Sequence, residues 1–155
     1  MGVAGSGKTT IGSLLANELG WRFYDADDFH TEANREKMAQ GTPLTDDDRA
    51  SWLAVLQELI RSNLHAGISS VLACSALKDS YRAILKADGQ VKFVYLKGTY
   101  SQIEMQLKNR TGHYMPAKLL ASQLEILEEP KDALVADITQ PPGEIIRNIR
   151  KGFTL

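Results

Sequence analysis

Gly2-Val3-Ala4-Gly5-Ser6-Gly7-Lys8-Thr9 matches G-x-x-x-x-G-K-[ST] at every fixed position, and Thr10 follows directly. This stretch decides the fold. Its glycines let successive backbone N–H groups converge on one point without interference from a Cβ. Ile11, Leu14, Leu15 and Leu19 then recur at helical spacing, and Gly20 closes the segment. A helix placed there aims its positive end at the same point. The pattern is that of a phosphate cradle: backbone N–H groups of Gly2 to Gly7 on phosphate oxygens, Lys8 on the β- and γ-phosphates, and the Thr9 hydroxyl on Mg²⁺. Met1-Gly2-x-x-x-Ser6 also fits an acylation pattern. The phosphate reading explains the same residues together with the helix after them, and a lipid on Gly2 would disrupt the loop.

Working outward, the pattern alternates short β-rich runs with helical periodicity over 155 residues, the size of one domain. Trp21 to Tyr24 reads as a strand that delivers Asp25. His30 to Gln40 reads as a polar helix, with Pro43 in the loop beyond it. Thr45 with Asp48 reads as an acidic capping box, ahead of an amphipathic helix carrying Trp52, Leu53, Leu56, Leu59, Ile60 and Leu64. Ile68 to Cys74 is the next strand, and Ser75 opens a helix with Lys78, Tyr81 and Arg82. Val91 to Leu96 is a third strand, Thr99 or Ser101 caps a helix reaching Arg110, and Pro116 starts another. Ala133 to Ile138 is a fourth strand and Pro142 to Lys151 a last helix. Strands separated by helices imply an α/β fold with a parallel sheet, right-handed crossovers and ligands at the carboxyl ends of the strands.

Eighteen Lys and Arg against nineteen Asp and Glu give a net charge of −1. That balance supplies no basic surface for nucleic acid or an anionic membrane. No apolar run has the length of a membrane span. A single cysteine, Cys74, builds neither an internal disulfide nor a multi-cysteine zinc site, which points to a reducing, cytoplasmic setting.

A Mg²⁺-nucleotide site calls for an acid at a strand end, and Asp25-Ala26-Asp27-Asp28-Phe29-His30 follows such an end. Asp25 and Asp27 face one site if the backbone there is extended, one serving the metal's water shell and the other an acceptor hydroxyl. Asp28 suits a helix N-cap. Cations for an acceptor are available in Arg49, in Lys78 and Arg82 four residues apart, and in Arg110 before Thr111-Gly112-His113-Tyr114. His30 and His113 sit in polar loops where substrate contact is possible, whereas His65 reads as exposed. Phosphoryl transfer needs no nucleophilic cysteine, so Cys74 is not expected to act.

With these residues in view, the chain resembles the gluconokinases, small P-loop kinases related to shikimate kinase and adenylate kinase. The resemblance spans nearly the whole chain. Its marks are Gly2 to Thr9, Asp25-Ala26-Asp27 with His30, Gly41-Thr42-Pro43-Leu44-Thr45-Asp46-Asp47-Asp48-Arg49, Cys74-Ser75-Ala76-Leu77-Lys78 with Tyr81-Arg82, Gly112-His113-Tyr114-Met115-Pro116, Ser122-Gln123, and Asp137 to Pro141. Leu124 and Ile126 depart from the Phe and Thr often seen there. The resemblance implies a three-layer fold around five parallel strands, a substrate-binding helical segment at about 28–66 and a lid at about 110–122. It implies transfer of the γ-phosphoryl of ATP to the 6-hydroxyl of D-gluconate. Asp27 is then the acceptor's base, and Asp25 holds Mg²⁺ through water beside Thr9. Arg49, Lys78, Arg82, His30 and His113 are placed for the sugar acid. Arg110 stabilises the transferring group, Gln140-Pro141 lie on the adenine side, and a homodimer is expected.

The alternatives are a related kinase of another small hydroxylated acid such as shikimate, and a non-catalytic nucleotide-binding module. A shikimate kinase is expected to carry a glycine triplet where this chain has Cys74-Ser75-Ala76, and a nucleotide-binding module to lack Lys8 or the acids. A phosphate loop normally follows a buried central strand, yet only Met1 precedes Gly2. The expectation is therefore that the first of five strands is missing before Gly2.

Overall fold

The computed structural model describes residues 1–86, 89–108 and 117–155. Arg110, His113 and Pro116 therefore lie outside the described residues. In chain order the elements are α1 (Lys8–Leu19), β1 (Arg22–Asp25), a 3₁₀ turn (Ala26–Phe29), α2 (Glu32–Ala39), α3 (Asp46–His65), β2 (Ser70–Ala73), α4 (Asp79–Leu85), β3 (Val94–Lys97), α5 (Tyr100–Lys108), α6 (Ala117–Ile126), β4 (Leu134–Asp137) and α7 (Pro142–Phe153). Glycine punctuates α1 at both ends. Gly7 precedes it at φ 92° and Gly20 follows it at φ 66°, left-handed values that side chains disfavour.

β1 pairs with β2 and β3 with β4, both pairs parallel. Met1 precedes the phosphate loop. It lies between the two pairs: its nitrogen donates to the Val94 carbonyl at 2.5 Å, and Leu96 N donates to its carbonyl at 2.9 Å. Gly2 N then donates to Ser75 O on the other side, at the end of β2. A cavity of about 420 Å³, walled by Val71, Leu72, Phe93 and Val94 among others, runs on from Met1.

Alternation along the strands makes two cores. Val71 packs against the cluster that holds Ile11, Leu15, Ile145 and Ile149, while its neighbour Leu72 packs against the one that holds Trp52, Leu56 and Leu85. Helices thus cover both faces of the strands, in three layers.

Several boundaries differ from the sequence reading. β3 starts at Val94 rather than Val91, although Val91 to Phe93 is equally β-rich; its partner strand begins only at Leu134. His30 does not start a helix: Thr31 caps α2, its hydroxyl accepting from Asn34 N. Asp28 caps nothing, and its carbonyl instead accepts from Arg35. Ser75 does not open α4, which begins at Asp79, because Ala76 is buried at φ 46° and cannot continue a helix. Thr99, not Ser101, begins α5, exchanging hydrogen bonds with Gln102 as a capping box.

Candidate active site

The carboxyl ends of β1 and β2 and the start of α1 surround a cavity of about 510 Å³. One end is the phosphate loop, represented by Ala4, Gly5, Gly7, Lys8 and Thr9. The other end is a wall of Asp27, His30, Thr45, Asp46, Arg49 and Lys78, and α6 contributes Leu119, Ser122 and Gln123 along the side. The structure thus brings together most of the residues the sequence singled out, from five separate elements.

The loop is made for an anion. Gly2, Gly5 and Gly7 all have positive φ. A Cβ on Gly5 would lie 2.6 Å from Leu107 Cγ, and one on Gly2 would lie 2.9 Å from the Leu96 carbonyl. Gly7 gives the first turn of α1 no side-chain cap, which leaves N–H donors at its positive end. The Ser6 hydroxyl is buried without a hydrogen-bond partner. Lys8 Nζ donates to Val3 O at 2.9 Å, which folds its side chain back over the loop. Thr9 Oγ1 donates to Asp25 Oδ2 at 2.7 Å. A hydroxyl and a carboxylate together form a hard oxygen pair, the donor chemistry Mg²⁺ takes. Thr10 is exposed on α1 beyond the cavity wall.

Asp25 reaches the site from extended backbone at the end of β1, but Asp27 does so from the 3₁₀ turn. The second Asp25 oxygen accepts from Asp27 N at 3.1 Å and caps that turn. The turn is held from α3, where the Trp52 indole donates to Ala26 O at 2.7 Å and stacks on His30 with centroids 4.3 Å apart. Asp27 opens onto the cavity, so water reaches it, yet the surrounding walls displace bulk solvent. That desolvation raises its carboxyl above the ordinary range, and Asp25 and Asp28 add to the rise against the pull of Lys8. His30 is 7% exposed, and burial, aided by Arg49 and Arg35, drives it down to about 4. At neutral pH it is therefore uncharged, and its 3.9 Å approach to Asp27 is not an ion pair.

The three candidate cations have different fates. Lys78 is paired with Asp46 at 2.8 Å, and Tyr81 donates to the same carboxylate. These partners, Lys78 first, hold the Asp46 carboxyl below its usual range. Arg82 turns away from the cavity. It donates to Ala76 O at 2.8 Å and Leu77 O at 3.2 Å and pairs with Asp79, so it props the left-handed turn at Ala76 instead of facing a ligand. The i,i+4 spacing suggested a shared face, but Lys78 is the N-cap of α4, and the spacing rule holds only within a helix. Arg49 is 9% exposed and lies in the cavity wall. Its Nη1 donates to Leu44 O at 2.5 Å and weakly to Tyr81 at 3.5 Å, and no carboxylate among the described residues lies within ion-pair distance. A buried guanidinium without an anion is costly; here it also lies 5.7 Å from the centroid of the Tyr81 ring. The Thr45–Asp48 capping box fixes the start of α3 that presents Arg49. Hydrogen bonds from Lys37 and then Thr45 hold Asp48 down at about 2.

Gln140 and Pro141 follow β4, outside the cavity walls. Gln140 accepts from Asn148, and Pro141 precedes α7. Cys74 is buried, and burial pushes its thiol up to about 11, so it stays protonated. Asp46 and Gln123 are wall residues to which the sequence assigns no role, although Thr45-Asp46 and Ser122-Gln123 both stand out in it. No cluster of three or more His, Cys, Asp or Glu among the described residues could hold a metal by itself. No helix among them is long and apolar enough to cross a membrane.

Comparison with known proteins gives the family. Residues 4–151 match the shikimate kinase (SKI) family model. A probable gluconokinase of Mus musculus is 49% identical over 148 residues, covering 84% of this chain and 80% of the mouse protein. The thermoresistant gluconokinase of Escherichia coli is 41% identical, covering 98% of this chain and 92% of its own length. Among solved structures, a gluconokinase from Sinorhizobium meliloti superposes with a TM-score of 0.90 at 42% identity, covering 99% of this chain and 89% of that one. The chain therefore belongs to the gluconokinases of the shikimate kinase family.

Proposed function

We propose that this protein catalyses phosphorylation of D-gluconate by ATP with Mg²⁺, giving 6-phosphogluconate. The observation that carries the reading is the pairing of ends in one cavity. A phosphate loop with Lys8 faces an acid, Asp27, beside Arg49, a buried guanidinium without a carboxylate of its own. One end suits a phosphoryl donor and the other a hydroxylated acid.

Gly2 to Gly7 and Lys8 hold the phosphates. Thr9, with Asp25 acting through water, would hold Mg²⁺, which would supply charge neutralisation at the transferring phosphoryl group. Asp27 orients the acceptor hydroxyl and takes its proton, a task helped by a carboxyl raised above the ordinary range. Arg49 receives the sugar acid's carboxylate. His30, neutral and fixed against Trp52, borders the acceptor without adding charge. The transition state of such transfers is largely dissociative, so positioning and charge neutralisation do most of the catalysis.

The same reading takes residues 1–155 as one kinase domain, with the acceptor bound by the segment at about 28–66. It keeps about 110–122 as a lid, with Arg110 acting on the transferring group and His113 near the acceptor, and Gln140-Pro141 on the adenine side. It also includes a homodimer in the cytoplasm with neither nucleic acid nor membrane as a partner; light scattering after size exclusion reads the dimer.

The test is a coupled assay with 6-phosphogluconate dehydrogenase across a panel of sugar acids, polyols and shikimate. Turnover is expected with gluconate. Turnover with shikimate and none with gluconate would sink the assignment.

A further inference from the structure

Gln123 lies on α6, in the side wall of the cavity, and touches the phosphate loop directly. Its Oε1 accepts a hydrogen bond from Ala4 N at 2.7 Å, across 119 residues of sequence. Ala4 offers a backbone N–H there, and only the oxygen of a carboxamide can accept it. The orientation of the amide is therefore fixed by its partner: oxygen on the loop, NH₂ on the other side. That NH₂ has no partner among the described residues, on a side chain that lines the same cavity as Gly5, Lys8 and Thr9. The neighbouring Ser122 hydroxyl is already committed to Leu119 O.

We propose that Gln123 is a further ligand of the bound phosphate chain, its NH₂ donating to a phosphate oxygen while its carbonyl stays anchored on Ala4. The inference rests on the nucleotide reading above. A neutral donor suits this position. The loop's amides and Lys8 already supply positive potential, and a side chain that bonds the loop and the ligand at once fixes α6 against the loaded site.

Two substitutions separate this role from a purely structural anchor. Gln123→Glu keeps an oxygen for Ala4 N but replaces the donor with a negative oxygen. Gln123→Met keeps the size of the side chain and removes both functions. Affinities for ATP, ADP and adenosine are measured by calorimetry without any acceptor, alongside thermal melting of the free chains. If Gln123 is a phosphate ligand, Glu weakens ATP and ADP binding by more than about tenfold, and more than Met does. Adenosine binding then stays unchanged, and the free Glu variant melts close to wild type. If Gln123 merely anchors α6, Glu binds nucleotides like wild type and Met alone is impaired. That order, or equal weakening by both variants, overturns the proposal. A wild-type chain that binds ATP but leaves gluconate untouched refutes the acceptor assignment and leaves the order of these variants decisive for Gln123. A wild type that binds no adenine nucleotide overturns both.

Discussion

The two ends of the cavity are built by opposite means. The phosphate end is one short run, Gly2 to Thr9, in which backbone conformation does the work and the glycines exclude side chains. The acceptor end collects Asp27, His30, Asp46, Arg49 and Lys78 from three separate segments, and side chains do the work. Several of those are oriented by partners distant in sequence: the turn carrying Asp27 by Trp52, and Lys78 by Asp46. A backbone-made site tolerates little change in shape and much in neighbouring chemistry. A side-chain-made site behaves the other way, and the division can be tested.

The largest effect is expected at the acceptor end. Asp27→Asn keeps the shape of the side chain and removes the base, so turnover should fall by about two to four powers of ten with ATP affinity close to wild type. Steady-state kinetics beside nucleotide calorimetry reads both, and unchanged turnover removes Asp27 from its role. At the phosphate end, shape is the sensitive quantity. Gly5→Ala combines left-handed backbone, about 1–2 kcal/mol, with a Cβ 2.6 Å from Leu107, about 1–3 kcal/mol more. Gly7→Ala carries only the backbone strain, since its Cβ would first meet Ile11 at 4.0 Å. Melting curves should rank Gly5→Ala well below Gly7→Ala, and equal losses would break the shape argument.

His30 gives an effect that depends on pH. Its folded pKa of about 4 lies below the unfolded value of 6.5, so the unfolded chain takes up the proton first as pH falls. The stability that neutral His30 supplies is complete above 6.5 and is lost between 6.5 and about 4, up to about 3 kcal/mol in all. Urea unfolding of wild type and His30→Asn at pH 7 and pH 4.5 isolates the contribution. The wild type should lose more stability than the variant between the two pH values, and identical losses would contradict a buried neutral His30. The smallest effect belongs to Arg49→Met. It should raise the KM for gluconate by about ten- to a hundredfold and leave the KM for ATP in place. An equal rise in both constants would show that the two ends are not separable.

This division also explains what could be read before the structure. The phosphate loop was legible because its residues are adjacent and their spacing carries its own geometry. The start of α3 was legible for the same reason, since Thr45 and Asp48 exchange hydrogen bonds within four residues. The partition among Arg49, Lys78 and Arg82 was not legible. It depends on where α4 begins, which depends on Ala76 turning left-handed, and on Asp46 reaching across 32 residues to Lys78. The start of β3 was not legible either, because pairing with Leu134 and not β propensity sets it. Ser122-Gln123 stood out in the sequence, but no local pattern ties Gln123 to Ala4.

The bond between Ala4 and Gln123 has a consequence in time. Closing a contact across 119 residues is entropically dear, whereas the turn from Gly7 into α1 closes within four. During refolding the phosphate loop can take shape with its own helix, long before α6 arrives to complete the wall. The order of recovery should follow: a weak grip on phosphate first, then the acceptor wall, whose contacts span 26 and 32 residues, and full nucleotide affinity only once α6 docks. The tight hold on nucleotide is then the final property the chain acquires as it folds.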